Sequence, residues 1–62
     1  MGLKVYVYGA YTFKSMGERL VEVKVIAKDK GTAYTLARDM LENCRFVNTD
    51  EGIFLNDEYD YS

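Results

Sequence analysis

Apolar and polar positions alternate from Leu3 to Phe13. Leu3, Val5, Val7, Tyr11 and Phe13 share one parity, and Lys4, Tyr6, Tyr8, Ala10 and Thr12 share the other. A period of two over β-branched and aromatic residues predicts a strand, because successive side chains point to opposite faces. The odd set, with its valines, is the expected core face, which leaves Tyr6 and Tyr8 looking outward. Gly9 marks a bulge or the close approach of another backbone. Arg19 to Ala27 repeats the pattern: Val21, Val23, Val25 and Ala27 point one way, and Leu20, Glu22, Lys24 and Ile26 the other. Lys14-Ser15-Met16-Gly17 has turn composition, so the two strands are expected to pair as an antiparallel hairpin.

The period changes at Asp29, a good N-cap residue. Ala33, Leu36, Ala37, Met40, Leu41 and Cys44 then recur at steps of three and four, which predicts a helix from Lys30 to Asn43. Asn43 is expected to end it in the left-handed conformation. Two short apolar runs, Phe46-Val47 and Ile53-Phe54-Leu55, read as a β-hairpin or as one strand and a loop. Asn56 to Ser62 shows no apolar period. The expected architecture is α+β, in the order β-β-α-β(-β): an antiparallel sheet with one helix packed on one face. A single domain is expected over residues 1–55, followed by an acidic tail, 56–62. Its expected core is Val5, Val7, Val21, Val23, Val25, Leu36, Met40 and Leu41.

The segment VEVKVIAKDKGTAYTLARDMLENCRFV, Val21 to Val47, resembles small DpnD/PcfM-like proteins of bacterial phages and mobile elements. These similarly run from a valine-rich strand through a polar helix start into a helix with regularly spaced alanines and a closing strand. The resemblance implies a phage or plasmid source and supplies no functional residue.

Length sharpens this picture. A chain of 62 residues is one domain at most and buries only about 60% of the surface its unfolded form exposes. Disulfides, metals or self-association often compensate at this size. With one cysteine and no histidine, an internal disulfide is impossible and a metal site is not expected. Cys44 is expected to be a small buried hydrophobe, since no histidine can serve it as a base. The hydroxyls of Thr12, Ser15, Thr32 and Thr35 likewise lack a base, and the single glycines form no phosphate loop. No catalytic residue, cofactor or metal ligand is assigned, and the chain is expected not to be an enzyme. No apolar run is long enough to span a bilayer, and no leader pattern is visible at Met1-Gly2-Leu3-Lys4. The lone cysteine fits a reducing compartment, so a cytoplasmic protein is expected.

Charge divides the chain. Residues 1–31 carry a net +3 and residues 32–62 a net −5, and every charge from Asp50 onward is negative. Such a field steers partners and orients copies of the chain against one another. The expected binding surface combines an outward sheet face bearing Tyr6, Tyr8, Leu20, Lys24 and Ile26 with a tail bearing Asp57, Glu58, Tyr59, Asp60 and Tyr61. Tyrosine gives large rigid contact area with a polar tip, and rim charge speeds encounter. The expected partner is a protein with a basic patch, which the chain binds and inhibits or modulates. A homodimer is a further expectation. The alternative is a nucleic-acid module in which Tyr6 and Tyr8 stack bases between Lys4, Lys24 and Lys28. A pI near 4.9 runs against it.

Overall fold

The computed structural model describes residues 2–61. Strand β1 spans Lys4–Tyr11, β2 Leu20–Ala27, helix α1 Lys30–Glu42 and β3 Phe54–Asp60. Short 3-10 turns at Lys14–Met16 and Thr49–Glu51 interrupt the connections. The sheet order is β2-β1-β3, with β1 antiparallel to both neighbours. It follows that β2 and β3 run parallel with β1 between them. The chain needs a crossover to join such strands, and α1 supplies it. This is the expected small α+β fold with one helix on an antiparallel sheet.

The turn after β1 uses Gly17 at φ 82°, where a Cβ would be strained. Helix α1 begins where Asp29 accepts a 2.8 Å hydrogen bond from the Thr32 N–H, and that bond holds the Asp29 carboxyl below its usual range. The helix ends differently from the expectation. Asn43 keeps right-handed backbone, φ −80°, and its side-chain amide donates to the Asp39 carbonyl at 2.9 Å. That carbonyl also accepts the Asn43 backbone N–H at 3.2 Å, and the Cys44 N–H bonds the Leu41 carbonyl at 3.1 Å, so last-turn acceptors are satisfied without a left-handed residue.

The helix lies on the even face of β1, and Tyr6 and Tyr8 are its floor rather than an outward surface. Both are 3% exposed. The reason is complementary size. The helix contacts the sheet through Ala33 and Ala37, each fully buried, and their small side chains leave depth for two tyrosine rings. The Tyr8 hydroxyl donates to the Lys30 carbonyl at 3.3 Å, and its ring meets Tyr34 edge-on at 5.7 Å. Val25 and Ala27 complete this cluster, and a second joins Ala10, Leu41 and Val47. Val5 and Val7 are buried too, but on the opposite face, where no helix lies.

Two other core expectations change. Leu36 and Met40 are exposed at 46% and 47%, because the buried stripe runs through Ala33, Ala37 and Leu41 and leaves them on one shoulder of the helix. Cys44 is exposed just past the helix end. The acidic tail is also replaced. Residues 54–60 form β3, paired along β1 from Gly9↔Phe54 to Lys4↔Asp60. Of the two readings of residues 46–55, the strand and loop holds and the hairpin does not: Val47 makes only an isolated bridge to Thr12, the second 3-10 turn follows, and the strand begins at Phe54. A bulge at Asn56, between the pairs Tyr8↔Leu55 and Val7↔Asp57, shifts the parity of β3 and hides its period.

Candidate functional site: the helix-free sheet face

Cross-strand partners share a face, so the registers define the side of the sheet that α1 leaves open. Its rows are Ile26, Val5 and Tyr59; then Lys24, Val7 and Asp57; then Glu22, Gly9 and Phe54; then Leu20 beside Tyr11. Tyr61 extends it beyond β3, where its N–H bonds the Leu3 carbonyl at 3.1 Å. Leu20, Ile26, Tyr59 and Tyr61 are 43–54% exposed.

Gly9 shapes one end of this face. A Cβ built there would sit 3.1 Å from Leu20 Cδ1 and 3.2 Å from Phe54 Cε2. The missing side chain therefore lets Leu20 and Phe54 close over the backbone, and the Phe54 ring meets Tyr11 at 5.8 Å. The other end is the Ile26, Val5 and Tyr59 row. Polar groups divide the two: Lys24 and Asp57 lie on either side of Val7, and the Asn56 amide donates to the Glu22 carboxylate. The result is two apolar patches with a charged waist.

The structure sorts the sequence-chosen residues. It brings Leu20, Lys24, Ile26, Asp57, Tyr59 and Tyr61 onto this face. Tyr6 and Tyr8 lie beneath the helix instead. Glu58 and Asp60 align with Tyr6 and Lys4, so they point to the helix side. There Lys4 Nζ donates to Glu58 Oε2 at 2.8 Å. That bond raises the Lys4 pKa and lowers that of Glu58. Val5, Val7, Gly9, Tyr11 and Phe54 were missed as members of the face. The signal available for them was Gly9, which already indicated a close approach. With Tyr6 and Tyr8 buried and Lys4 paired, the groups that a base-stacking surface would use are not together on an open face.

No helix among the described residues is long and apolar enough to cross a membrane. Among them, no three of the ligand-type residues Cys, Asp and Glu cluster as a metal site would require. The fold and this face define a small α+β unit with one side of its sheet uncovered. Family models, curated proteins and solved structures were compared with the chain, and none matches it.

Proposed function

We propose that the chain is a small non-catalytic interaction module, an accessory protein of a phage or mobile element that acts in the cytoplasm by occupying a host protein. The reading is carried by one observation: on the sheet face opposite the helix, Ile26, Tyr59 and Tyr61 stand exposed at one end and Leu20 at the other, with Lys24 and Asp57 between them. Exposed apolar patches rimmed by polar groups mark contact sites, and tyrosine is enriched in them. The partner is a protein with a basic patch, since Asp57 lies on the face and Asp60, turned to the helix side, lies near it on the same edge strand. Charge speeds encounter, and the aromatic and aliphatic groups hold the complex. Binding inhibits or modulates the host protein stoichiometrically.

The test starts with capture from bacterial lysate, with and without nuclease, followed by kinetics on the purified partner. Tyr59→Ala with Tyr61→Ala should raise the off-rate. Asp57→Asn with Asp60→Asn should lower the on-rate, and added salt should mimic that change. Point substitutions are required because deletion of residues 56–62 would remove most of β3. Capture that nuclease abolishes, or kinetics that both double variants leave unchanged in a folded protein, would refute the proposal.

A further inference from the structure

The two edges of the sheet are built differently. The β3 edge carries a bulge at Asn56 and the charges Asp57, Glu58 and Asp60, the features that discourage pairing with another chain. The β2 edge has neither proline, glycine nor bulge along its eight residues. Its outward groups can be identified. The Thr12 N–H donates to the Arg19 carbonyl at 2.9 Å, so odd-numbered residues of β2 bond to β1 and even-numbered ones present their N–H and C=O away from it. Among the described residues, nothing bonds those outward groups of Leu20, Glu22, Lys24 and Ile26.

The helix overhangs the same edge. Tyr34 and Leu41 mark the side of α1 turned toward β1, since they pack on Tyr8 and Ala10. At 100° per residue, Leu36 and Met40 fall on the opposite shoulder, above β2. They are the two exposed large aliphatic side chains of the helix. An open strand edge and an uncovered apolar helix shoulder therefore lie side by side.

We infer that this edge pairs with the β2 edge of a second copy, in antiparallel register centred on Val23, to give a continuous six-stranded sheet. The sequence of β2 selects the register. Centring on Val23 sets Glu22 opposite the partner copy's Lys24 and Lys24 opposite its Glu22, with Leu20 and Ile26 likewise exchanged. Every pair then matches in charge or in apolar character. Shifting by two residues either way sets Glu22 against Glu22 or Lys24 against Lys24. Shifting by one turns the helix-side residues to the open side. The two-fold axis of this arrangement stands perpendicular to the sheet, so both helices share one face. Leu36 and Met40 of each copy then meet those of the other across the seam. The dimer doubles the helix-free face without covering it, and does not depend on the proposed host partner.

Sedimentation of the full chain at tens of micromolar should report a dimer of the 7.1 kDa protein. Glu22→Lys and Lys24→Glu should each weaken it at least about tenfold, because two attractive pairs become two repulsive ones. The double exchange Glu22→Lys with Lys24→Glu should restore affinity to within about threefold of the original, since the pairs re-form with signs swapped. Val23→Cys, in a Cys44→Ser background, should form a covalent dimer on mild oxidation. Facing Cα atoms at a non-hydrogen-bonded pair lie about 4.5 Å apart, within disulfide reach. A monomer at these concentrations would overturn the inference. So would a dimer indifferent to the single exchanges, or a double exchange that fails to restore it, either of which would point to packing through the open faces. If a charge variant unfolds, the Val23→Cys crosslink decides alone, and a folded but uncrosslinked protein refutes the register.

Discussion

Leu41 and Leu36 lie five residues apart on one helix, carry the same side chain, and should respond to truncation very differently. Leu41 is fully buried, in contact with Ala10 and Val47 and with Val21, Val23 and Ile53 packed around them. Leu41→Ala removes apolar contacts and leaves a cavity between α1 and the sheet. Such changes cost about 2–5 kcal/mol, and the upper half applies where the surroundings cannot collapse. Here they are held by strand pairing on two sides, so a loss of about 3–4 kcal/mol is expected. A domain of this length holds roughly 3–9 kcal/mol in total, so the variant should be partly or wholly unfolded at 37 °C. Leu36, at 46% exposure, should cost about 0.5 kcal/mol or less in the monomer, as surface changes do. The assay is urea unfolding followed by far-UV circular dichroism, at a concentration low enough to keep the protein monomeric. The urea slope should stay constant, so that the midpoint reports stability alone. Equal losses at the two positions would refute the placement of the helix stripe, and with it the argument that Leu36 faces a seam rather than a core.

The Lys4–Glu58 pair gives a pH signature. The Glu58 pKa is lowered, so its contribution is present above the usual glutamate range and is lost as pH falls through the folded value. The Lys4 pKa is raised, so its contribution is present below 10.5 and is lost as pH rises above it. Glu58→Gln should flatten the acid limb of a stability–pH profile, and an unchanged limb would show the pair to be unimportant. Gly9→Ala should be near neutral, within about 0.5 kcal/mol. The Leu20 and Phe54 atoms it meets are ends of half-exposed side chains that can move aside, and alanine costs the unfolded chain less entropy. A loss above about 1.5 kcal/mol in chemical denaturation would show that these two side chains are fixed in place.

The fold was legible because its signals were local. Asp29, the change from a period of two to one of 3.6, and the strict alternation of β2 each report on their own neighbourhood. The face assignment was not, because β1 is central and apolar on both sides. Its odd residues Val5 and Val7 and its even residues Tyr6 and Tyr8 are all buried, so parity alone does not say which side meets the helix. The answer lay in the helix: with alanine at positions 33 and 37, it packs against large rings better than against valines. For β3 the sequence pattern failed for another reason. The bulge at Asn56 resets the alternation, and a half-covered edge strand needs few apolar residues. That is how an acidic stretch with no apolar period came to be a strand. Placement on the sheet followed the same rule: the regular alternation of β2 puts Leu20, Lys24 and Ile26 on the helix-free side, where the structure has them, whereas Tyr6 and Tyr8 of β1 were assigned to the wrong side.

The dimensions of the chain bear on why such a unit would need company. Its radius of gyration is 12.0 Å, against about 10.6 Å for a compact domain of this length. Its accessible surface is 4416 Å², against about 4,100 Å² for an average monomer of its mass. One helix covers β2 and β1 but does not extend over β3, and no element among the described residues covers the opposite face. The core beneath the helix is built from two tyrosines, four alanines, Leu41, Val47 and the β2 valines, a small volume for the surface it must support. Exposed apolar side chains stand on the open sheet face, at Leu20, Ile26, Tyr59 and Tyr61, and on the β2-side shoulder of the helix, at Leu36 and Met40. The charged waist of the face suits a polar partner, and the helix shoulder beside the β2 edge suits an identical copy. Pairing the edges would bury backbone groups and apolar shoulders together, adding to the stability of each copy. The face that remains would be a six-stranded surface with the same patches presented twice. A partner with two basic patches would then bind it far more tightly than one patch alone would suggest, because the second contact forms at the high effective concentration set by the first.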